Sequence, residues 1–276
     1  MGLSVYNNVE ASNAHRLLSN TNSAVSKSIE RLSSGLRINR GADDAAGLAV
    51  SESMRSQIRG MNVAQRNAQD GVSMVQVADG ALGTVGDMLQ RVRDLAVQAS
   101  NGTLTDAQRK NLDIEVQQIL SEVGKTGTDT EFNGVKILAG SVATAASAVT
   151  LQVGANASQN IAFTIGTVSA SDLGISGIAV SSAASASAAI ASLDAAINTV
   201  TTARANLGAI QNRLESTINR LGVTAENVQA AESRIRDADM AQEMIQFTKN
   251  QILQQSGTAM LAQANQAPQS ILSLLR

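Results

Sequence analysis

Residues 190–235 read IASLDAAINTVTTARANLGAIQNRLESTINRLGVTAENVQAAESRI and carry an apolar side chain at every seventh position. Such a repeat lies along one face of a slightly underwound helix, and that face needs a second helix to cover it. At about 1.5 Å per residue the helix would be about 70 Å long, which makes it a rod that cannot bury its own face. The predicted rod-packing residues are Leu193, Val200, Leu207, Leu214, Leu221, Val228 and Ile235.

Apolar stripes of the same helical spacing occur in the N-terminal half, over residues 85–99 and 112–123. The second stripe follows Thr105 and Gln108, which have the spacing of a capping box at a helix N-terminus. These stripes supply partners for the long helix. We therefore expect a mainly α fold, a long antiparallel helical coiled-coil rod. An ordinary small helical bundle would explain the same stripes.

The middle of the chain, about residues 131–189, is almost free of charge and predicts a short β and low-complexity insert. Asn133-Gly134 between apolar residues is a strong hairpin signal. Alternating apolar and polar side chains predict two strands over 150–154 and 161–165. The Ala/Ser tract at 181–189 either starts the long helix or links to it.

Both ends of the chain carry thin apolar stripes with few charges and no core of their own. Such ends are expected to be disordered in a free monomer and to fold on meeting partners. The alternative is that they pair and dock on their own domain. The predicted terminal assembly stripe consists of Val25, Ile29, Leu32, Leu36, Leu261, Leu272, Leu274 and Leu275.

Composition and motifs exclude several functional classes. The net charge of −2 leaves no basic footprint for nucleic acid, and a chain without Cys and with one His lacks the usual metal ligands. The motifs H-E-x-x-H and G-x-S-x-G are absent, so we expect no enzyme and no cofactor. No secretory signal peptide or membrane-spanning run is predicted. These features indicate a cytoplasmic protein, unless it leaves the cell by a route without a cleaved signal.

Several longer strings are specific enough to indicate a family. Residues 28–39 read SIERLSSGLRIN, residues 90–98 read QRVRDLAVQ, residues 131–134 read EFNG, and residues 261–266 read LAQANQ. In these strings the chain strongly resembles bacterial flagellin, over roughly residues 1–140 and 190–276. The short middle implies a minimal form without large outer domains.

The resemblance implies a fold and a function. Residues 1–42 and 236–276 would pair as a terminal coiled-coil domain inside a filament, and residues 43–235 would form the helical rod with its insert at about 131–189. The chain would be exported unfolded without a cleaved signal peptide and would polymerise outside the cell at the tip of the tubular filament used for swimming. Implied partners are identical subunits, filament cap and hook-junction proteins, an export chaperone and vertebrate innate immune receptors.

The resemblance also implies a contact surface for the vertebrate Toll-like receptor 5. Arg91 and Leu95 are four residues apart and share a helix face, so a guanidinium beside an apolar anchor is expected there. The matching residues are Gln90, Arg91, Leu95, Gln98 and Glu115. Three alternatives remain at this stage: a flagellar hook–filament junction protein, a flagellin with a metallopeptidase insert, and a monomeric helical adaptor.

Overall fold

The described residues form a mainly α-helical fold, with five helices and two small antiparallel hairpins. A computed structural model describes residues 7–144 and 147–274, and the side chains of this part as far as residue 266. In chain order the elements are α1 Val9–Ser34, α2 Ala45–Ser100, α3 Asp106–Asp129, β1 Glu131–Phe132, β2 Val135–Lys136, β3 Val149–Gln152, β4 Asn160–Phe163, α4 Ala183–Arg236 and α5 Met240–Leu274. Within the described residues, no helix is long and apolar enough to cross a membrane.

The chain divides into two compact units. The first unit contains Met1–Ser56 with Asn227–Arg276, and the second contains Gln57–Glu226. The domain boundaries expected from the sequence, near residues 42/43 and 235/236, stay a prediction and lie inside the first unit. Within that unit the start of α2 and the end of α4 contact each other, as in the 2.6 Å ion pair between Arg236 and Glu52.

The core of the second unit is formed by α2, α3, α4 and the buried apolar side chains of residues 137–180. Ion pairs join Arg93 to Asp194 and Asp79 to Arg204, so α2 and α4 run antiparallel. The seven-residue repeat of α4 supplies buried side chains to this unit as far as position 221, whereas positions 228 and 235 are half-buried and belong to the first unit. The buried members are Leu193, Val200, Leu207, Leu214 and Leu221.

Two local signals in the sequence form the predicted structures. Thr105 caps α3, since its hydroxyl accepts from the Gln108 backbone while the Gln108 side chain accepts from the Thr105 backbone at 2.9 Å. The hairpin β1–β2 turns at Asn133 and Gly134, which have φ angles of +51° and +75°. Such left-handed angles at both central residues are what a tight two-residue hairpin needs.

The second hairpin lies slightly earlier than predicted. Strands β3 and β4 pair from Val149↔Phe163 to Gln152↔Asn160, rather than spanning 150–154 and 161–165. The loop at residues 153–159 closes the hairpin: the Val153 backbone donates to the Gln159 carbonyl at 2.9 Å, and the Asn156 backbone donates to the Gln159 side chain at 3.1 Å. The Ala/Ser tract resolves as helix, since α4 begins at Ala183.

Candidate assembly surface

Helices α1 and α5 pair antiparallel in the first unit. Asn8 donates from its side chain to the carbonyl of Ala264 at 2.8 Å, near the start of α1. At the other end of the pair, Arg31 lies 3.5 Å from the Glu243 carboxylate. The terminal helices are therefore paired with each other, as the resemblance implied.

The seam between the two helices is poor in large apolar side chains. Half-buried or buried positions recur at alternating steps of three and four residues, as in a coiled coil. In α1 these positions are Ala11, Ala14, Leu18, Thr21, Val25, Ser28 and Leu32, and in α5 they are Glu243, Phe247, Asn250, Gln254, Gly257, Leu261 and Ala264. Small and polar residues make up much of the seam, so the pair buries little apolar surface by itself.

The outward side of α5 carries the large apolar residues that the seam lacks. Ile245 is 67 % exposed and Ile252, one heptad later on the same face, is 58 % exposed. Leu17 and Ile29 of α1 are also exposed. We call the exposed large apolar side chains of α1 and α5 together the outer terminal face; by heptad position they lie on both sides of the seam as well as opposite it, and they are Val9, Leu17, Ile29, Met240, Met244, Ile245, Ile252, Leu253 and Met260.

A groove of about 990 Å³ runs between α1 and α5 and is continuous with the outer terminal face. Leu17 and Leu18 line it from α1, and Leu253 and Met260 line it from α5. Its polar lining includes Glu10, Gln263 and Gln266. An apolar groove with a polar rim suits a protein side chain or helix better than a small charged ligand.

The predicted terminal stripe does not form one exposed surface. Val25, Leu32 and Leu261 are half-buried at seam positions, whereas Ile29 lies on the outer face. Leu36 lies outside α1 and forms a β-bridge with Asp237. Leu272 and Leu274 lie in α5 with side chains outside the described part, and Leu275 lies outside the described residues. The seven-residue spacing of Ile245 and Ile252 is the feature of the sequence that could have indicated this exposed apolar surface.

Two connectors, residues 35–44 and 237–239, lie side by side in the first unit. The Arg37 backbone donates to the Arg236 carbonyl at 2.7 Å, and the Ala238 backbone donates to the Gly35 carbonyl at 2.9 Å. Gly35 adopts a left-handed φ of +73° that ends α1 and starts the first connector. These bonds fix where the chain leaves α1 and enters α5.

Ion pairs support the connectors. The Lys27 ammonium lies 2.7 Å from the Asp43 carboxylate, and this hydrogen bond lowers the pKa of Asp43 to about 2, helped by backbone donors at Arg40 and Asn39. The hydrogen bond from Arg236 likewise lowers the pKa of Glu52. Both carboxylates are therefore charged at neutral pH.

The residues matched to the receptor contact lie on α2 and α3 of the second unit. The Arg91 guanidinium donates two hydrogen bonds to Glu115, at 2.8 and 3.1 Å, and Gln90 and Gln98 are exposed. Leu95 is only 2 % exposed, because it packs into the α2–α3–α4 core. Its expected role as a surface anchor is therefore wrong for this structure.

Near Arg91 and Glu115 in sequence, Val97 of α2 and Ile114 of α3 are exposed apolar side chains. Neither was singled out from the sequence, because a lone apolar residue outside a helical stripe gives no periodic signal. Among the described residues, no three His, Cys, Asp or Glu side chains are grouped to hold a metal ion. The first unit instead has exposed apolar side chains and an apolar groove on α1 and α5.

Comparisons with known proteins place the chain. Residues 5–143 match the family described as bacterial flagellin N-terminal helical region, and residues 190–275 match the bacterial flagellin C-terminal helical region. A flagellar filament 33 kDa core protein of Treponema phagedenis is 49 % identical, and a flagellin of Bacillus subtilis is 48 % identical, each alignment covering 99 % of both chains.

A solved structure of a putative flagellar hook-associated protein from Vibrio parahaemolyticus shares the fold alone. It has a TM-score of 0.59 at 14 % identity, and the match covers 71 % of this chain and 100 % of that one. The two family matches together span most of this sequence, and the relatives match it over nearly their whole length. The chain therefore belongs to the bacterial flagellin family.

Proposed function

We propose that this chain is a structural subunit that self-assembles into a flagellar filament, and that its outer terminal face joins identical copies. The observation that carries the proposal is the exposure of large apolar side chains along α5, opposite a seam rich in small and polar residues. The full-length similarity to a filament core protein favours a filament subunit over a hook–filament junction protein.

Burial explains why the occupant of this face is a second copy. Covering one large aliphatic side chain contributes roughly 1.5–3 kcal/mol, so a face with several of them gains much by association. A face on one copy that meets a different face on the next copy repeats without closing, which gives an open helical polymer. Each added subunit presents the same unfilled groove to the next.

Ordering and assembly are coupled in this scheme. The α1–α5 seam includes Glu243, Asn250 and Gln254, whose burial gains little, so the pair is weak without neighbours. Neighbouring copies supply the apolar burial that the seam does not provide. Helix pairing at the ends should therefore tighten as the protein polymerises.

The test is seeded polymerisation of the double variant Ile245→Asp/Ile252→Asp, measured by sedimentation and electron microscopy. A carboxylate at either position would be desolvated on assembly, so we expect filament growth on seeds to be abolished. The matched control, Ile245→Leu/Ile252→Leu, keeps the apolar chemistry and should grow like the natural chain.

Removal of residues 236–276 gives a second test. Because the second unit ends at Glu226 and has its own core, the shortened chain should remain a soluble folded monomer and fail to extend seeds. Normal filaments from this truncation, or from the Asp double variant, would contradict the proposal.

Further partners follow from family membership and are part of the proposal. The subunit would leave the cell unfolded through the flagellar type III export channel and function outside it, in contact with cap and hook-junction proteins. An export chaperone would cover the apolar side of α5 before export. The chaperone contact is tested by pull-down from a cytoplasmic extract, in which the natural chain is compared with the Ile245→Asp/Ile252→Asp variant.

We also propose that Gln90, Arg91, Gln98 and Glu115 contact a Toll-like receptor 5 type of receptor. The Arg91–Glu115 pair presents a fixed guanidinium on an exposed helix surface, with Ile114 as a nearby exposed apolar group in sequence. Monomer carrying Arg91→Ala should activate receptor-expressing cells less than the natural chain. Equal activation would overturn the contact.

A further inference from the structure

Three of the eight methionines are exposed on α5. Met240, Met244 and Met260 are between 45 and 64 % exposed, whereas Met61 and Met74 of the second unit are 6 and 7 % exposed. Thioether oxidation follows exposure, so the α5 methionines are the reactive ones and the buried pair is an internal reference.

The positions of these methionines connect their chemistry to assembly. Met240 and Met244 are one helical turn apart, and Met244 is followed directly by the exposed Ile245. Met260 is one heptad after Leu253, and both line the groove beside Leu17. Met244 and Met260 therefore flank the seam on opposite sides, and all three methionines are among the exposed apolar side chains of the terminal helices.

We infer that Met240, Met244 and Met260 form an oxidant-sensitive modification site that controls subunit addition, an inference that rests on the proposed function. A peroxide transfers one oxygen atom to the thioether sulfur: the O–O bond breaks, an S–O bond forms, the sulfur loses two electrons, and hydrogen peroxide is reduced to water. Each apolar thioether becomes a polar, chiral sulfoxide.

The sulfoxide opposes assembly because its oxygen would have to leave water and enter an apolar contact. A polar group buried without a hydrogen-bond partner is costly, and three such groups lie on one helix. The modification adds no charge and does not touch the core of the second unit. It therefore leaves a folded subunit that does not add to a filament end.

The free subunit and the polymer should differ in how readily peroxide oxidises these methionines. In the free subunit the three thioethers are open to solvent, whereas in the polymer the outer terminal face is covered by neighbours. Peroxide should therefore modify α5 in monomers and spare it in finished filaments. A sulfoxide reductase that acts on the free chain reverses the block.

The experiment treats full-length monomer with hydrogen peroxide, removes the peroxide, maps each methionine by mass spectrometry and adds the protein to filament seeds. We expect sulfoxide at Met240, Met244 and Met260 with Met61 and Met74 unmodified, and elongation slower by about tenfold or more. Treatment with the two methionine sulfoxide reductases together, one for each sulfoxide epimer, should restore both the thioethers and the elongation rate.

Two variants identify the site. The triple variant Met240→Leu/Met244→Leu/Met260→Leu conserves volume and should elongate normally after peroxide. The matched control, Met54→Leu/Met88→Leu, keeps the three α5 methionines and should stay sensitive. If the triple variant were to assemble poorly before treatment, reductase rescue of the natural chain would decide the question in its place.

The outcomes separate the inference from the function on which it rests. Failure of untreated natural protein to extend seeds would overturn the proposed function. Normal elongation by protein with all three sulfoxides would overturn the oxidation site alone, and so would a reduced chain that regained its thioethers but not its elongation.

Discussion

Gly257 of α5 lies against Leu18 of α1, so that a Cβ atom added at position 257 would stand 3.3 Å from Leu18 Cδ1. A contact this tight at a seam position means that a residue without a side chain sets the separation of the two helices there. The same seam holds Ala11 and Ala14, so small residues bring the terminal helices together.

The first prediction is that Gly257→Ile loosens the α1–α5 pair. A branched side chain must push Leu18 aside, and overpacking of this kind costs about 1–3 kcal/mol. We expect faster cleavage within α1 and α5 in limited proteolysis of the monomer. The control is Gly208→Ile on α4, where an added Cβ meets nothing within 4 Å. Equal protection of both variants would contradict the close-contact role.

The second prediction concerns the end of α3, where the backbone of Gly127 lies against the backbone of Val168. A Cβ at Gly127 would stand 2.1 Å from the Val168 carbonyl oxygen, so Gly127→Ala must displace the segment that packs on the helix. We expect this variant to lower the free energy of unfolding in urea. Gly124→Ala, three residues earlier with open space around it, should raise stability by about 0.5–1 kcal/mol. Equal effects from the two substitutions would contradict the contact.

The third prediction concerns a buried arginine that closes the end of α2. Arg109 donates from Nε to the Ala99 carbonyl at 2.8 Å and from its terminal nitrogen to the Asn101 carbonyl at 2.9 Å. Arg109→Met leaves these carbonyls without their donors, which should cost about 1–3 kcal/mol in urea unfolding. Lys110→Met removes a neighbouring exposed charge and should have little effect. A stable Arg109→Met variant would show that water replaces the guanidinium.

Periodic signals in the sequence predicted the helical part of the fold well. The seven-residue repeat of α4, the capping box at Thr105 and the Asn133-Gly134 turn all depend on neighbours within a few residues, so local chemistry determines them. Strand ends were less accurate because they depend on where the 153–159 turn finds its hydrogen bonds.

The candidate site was harder to predict because the side of a helix that becomes buried depends on the elements that pack against it, which the local sequence does not specify. Leu95 shares a face with Arg91 by spacing, yet the core takes its side chain while the guanidinium remains exposed. In α5 polar residues such as Asn250 share the seam with Phe247, while the apolar Ile245 and Ile252 face outward. The rule that apolar residues turn inward fails there because their partner lies on another chain in the proposed assembly.

The fourth prediction is an acid-sensitive connector. The hydrogen bond from Lys27 lowers the pKa of Asp43 to about 2, so the folded state favours the carboxylate over the carboxylic acid. The stability that this carboxylate contributes is present above its unfolded pKa of 3.8 and is lost as the pH falls toward about 2. Asp43→Asn should therefore be less stable than the natural chain at pH 7. Its stability should also change less between pH 4 and pH 2 than that of the natural chain.

An NMR titration of the Asp43 carboxyl carbon measures this pKa directly, and thermal unfolding against pH measures its effect on stability. Lys27→Gln removes the largest cause of the shift while it leaves the backbone donors at Asn39 and Arg40 in place. Its Asp43 should titrate at a higher pH than in the natural chain, so the loss of stability should begin at a higher pH. An unchanged titration in Lys27→Gln would assign the shift to the backbone donors, and the connector would then depend on the turn at residues 39–43 instead of the ion pair.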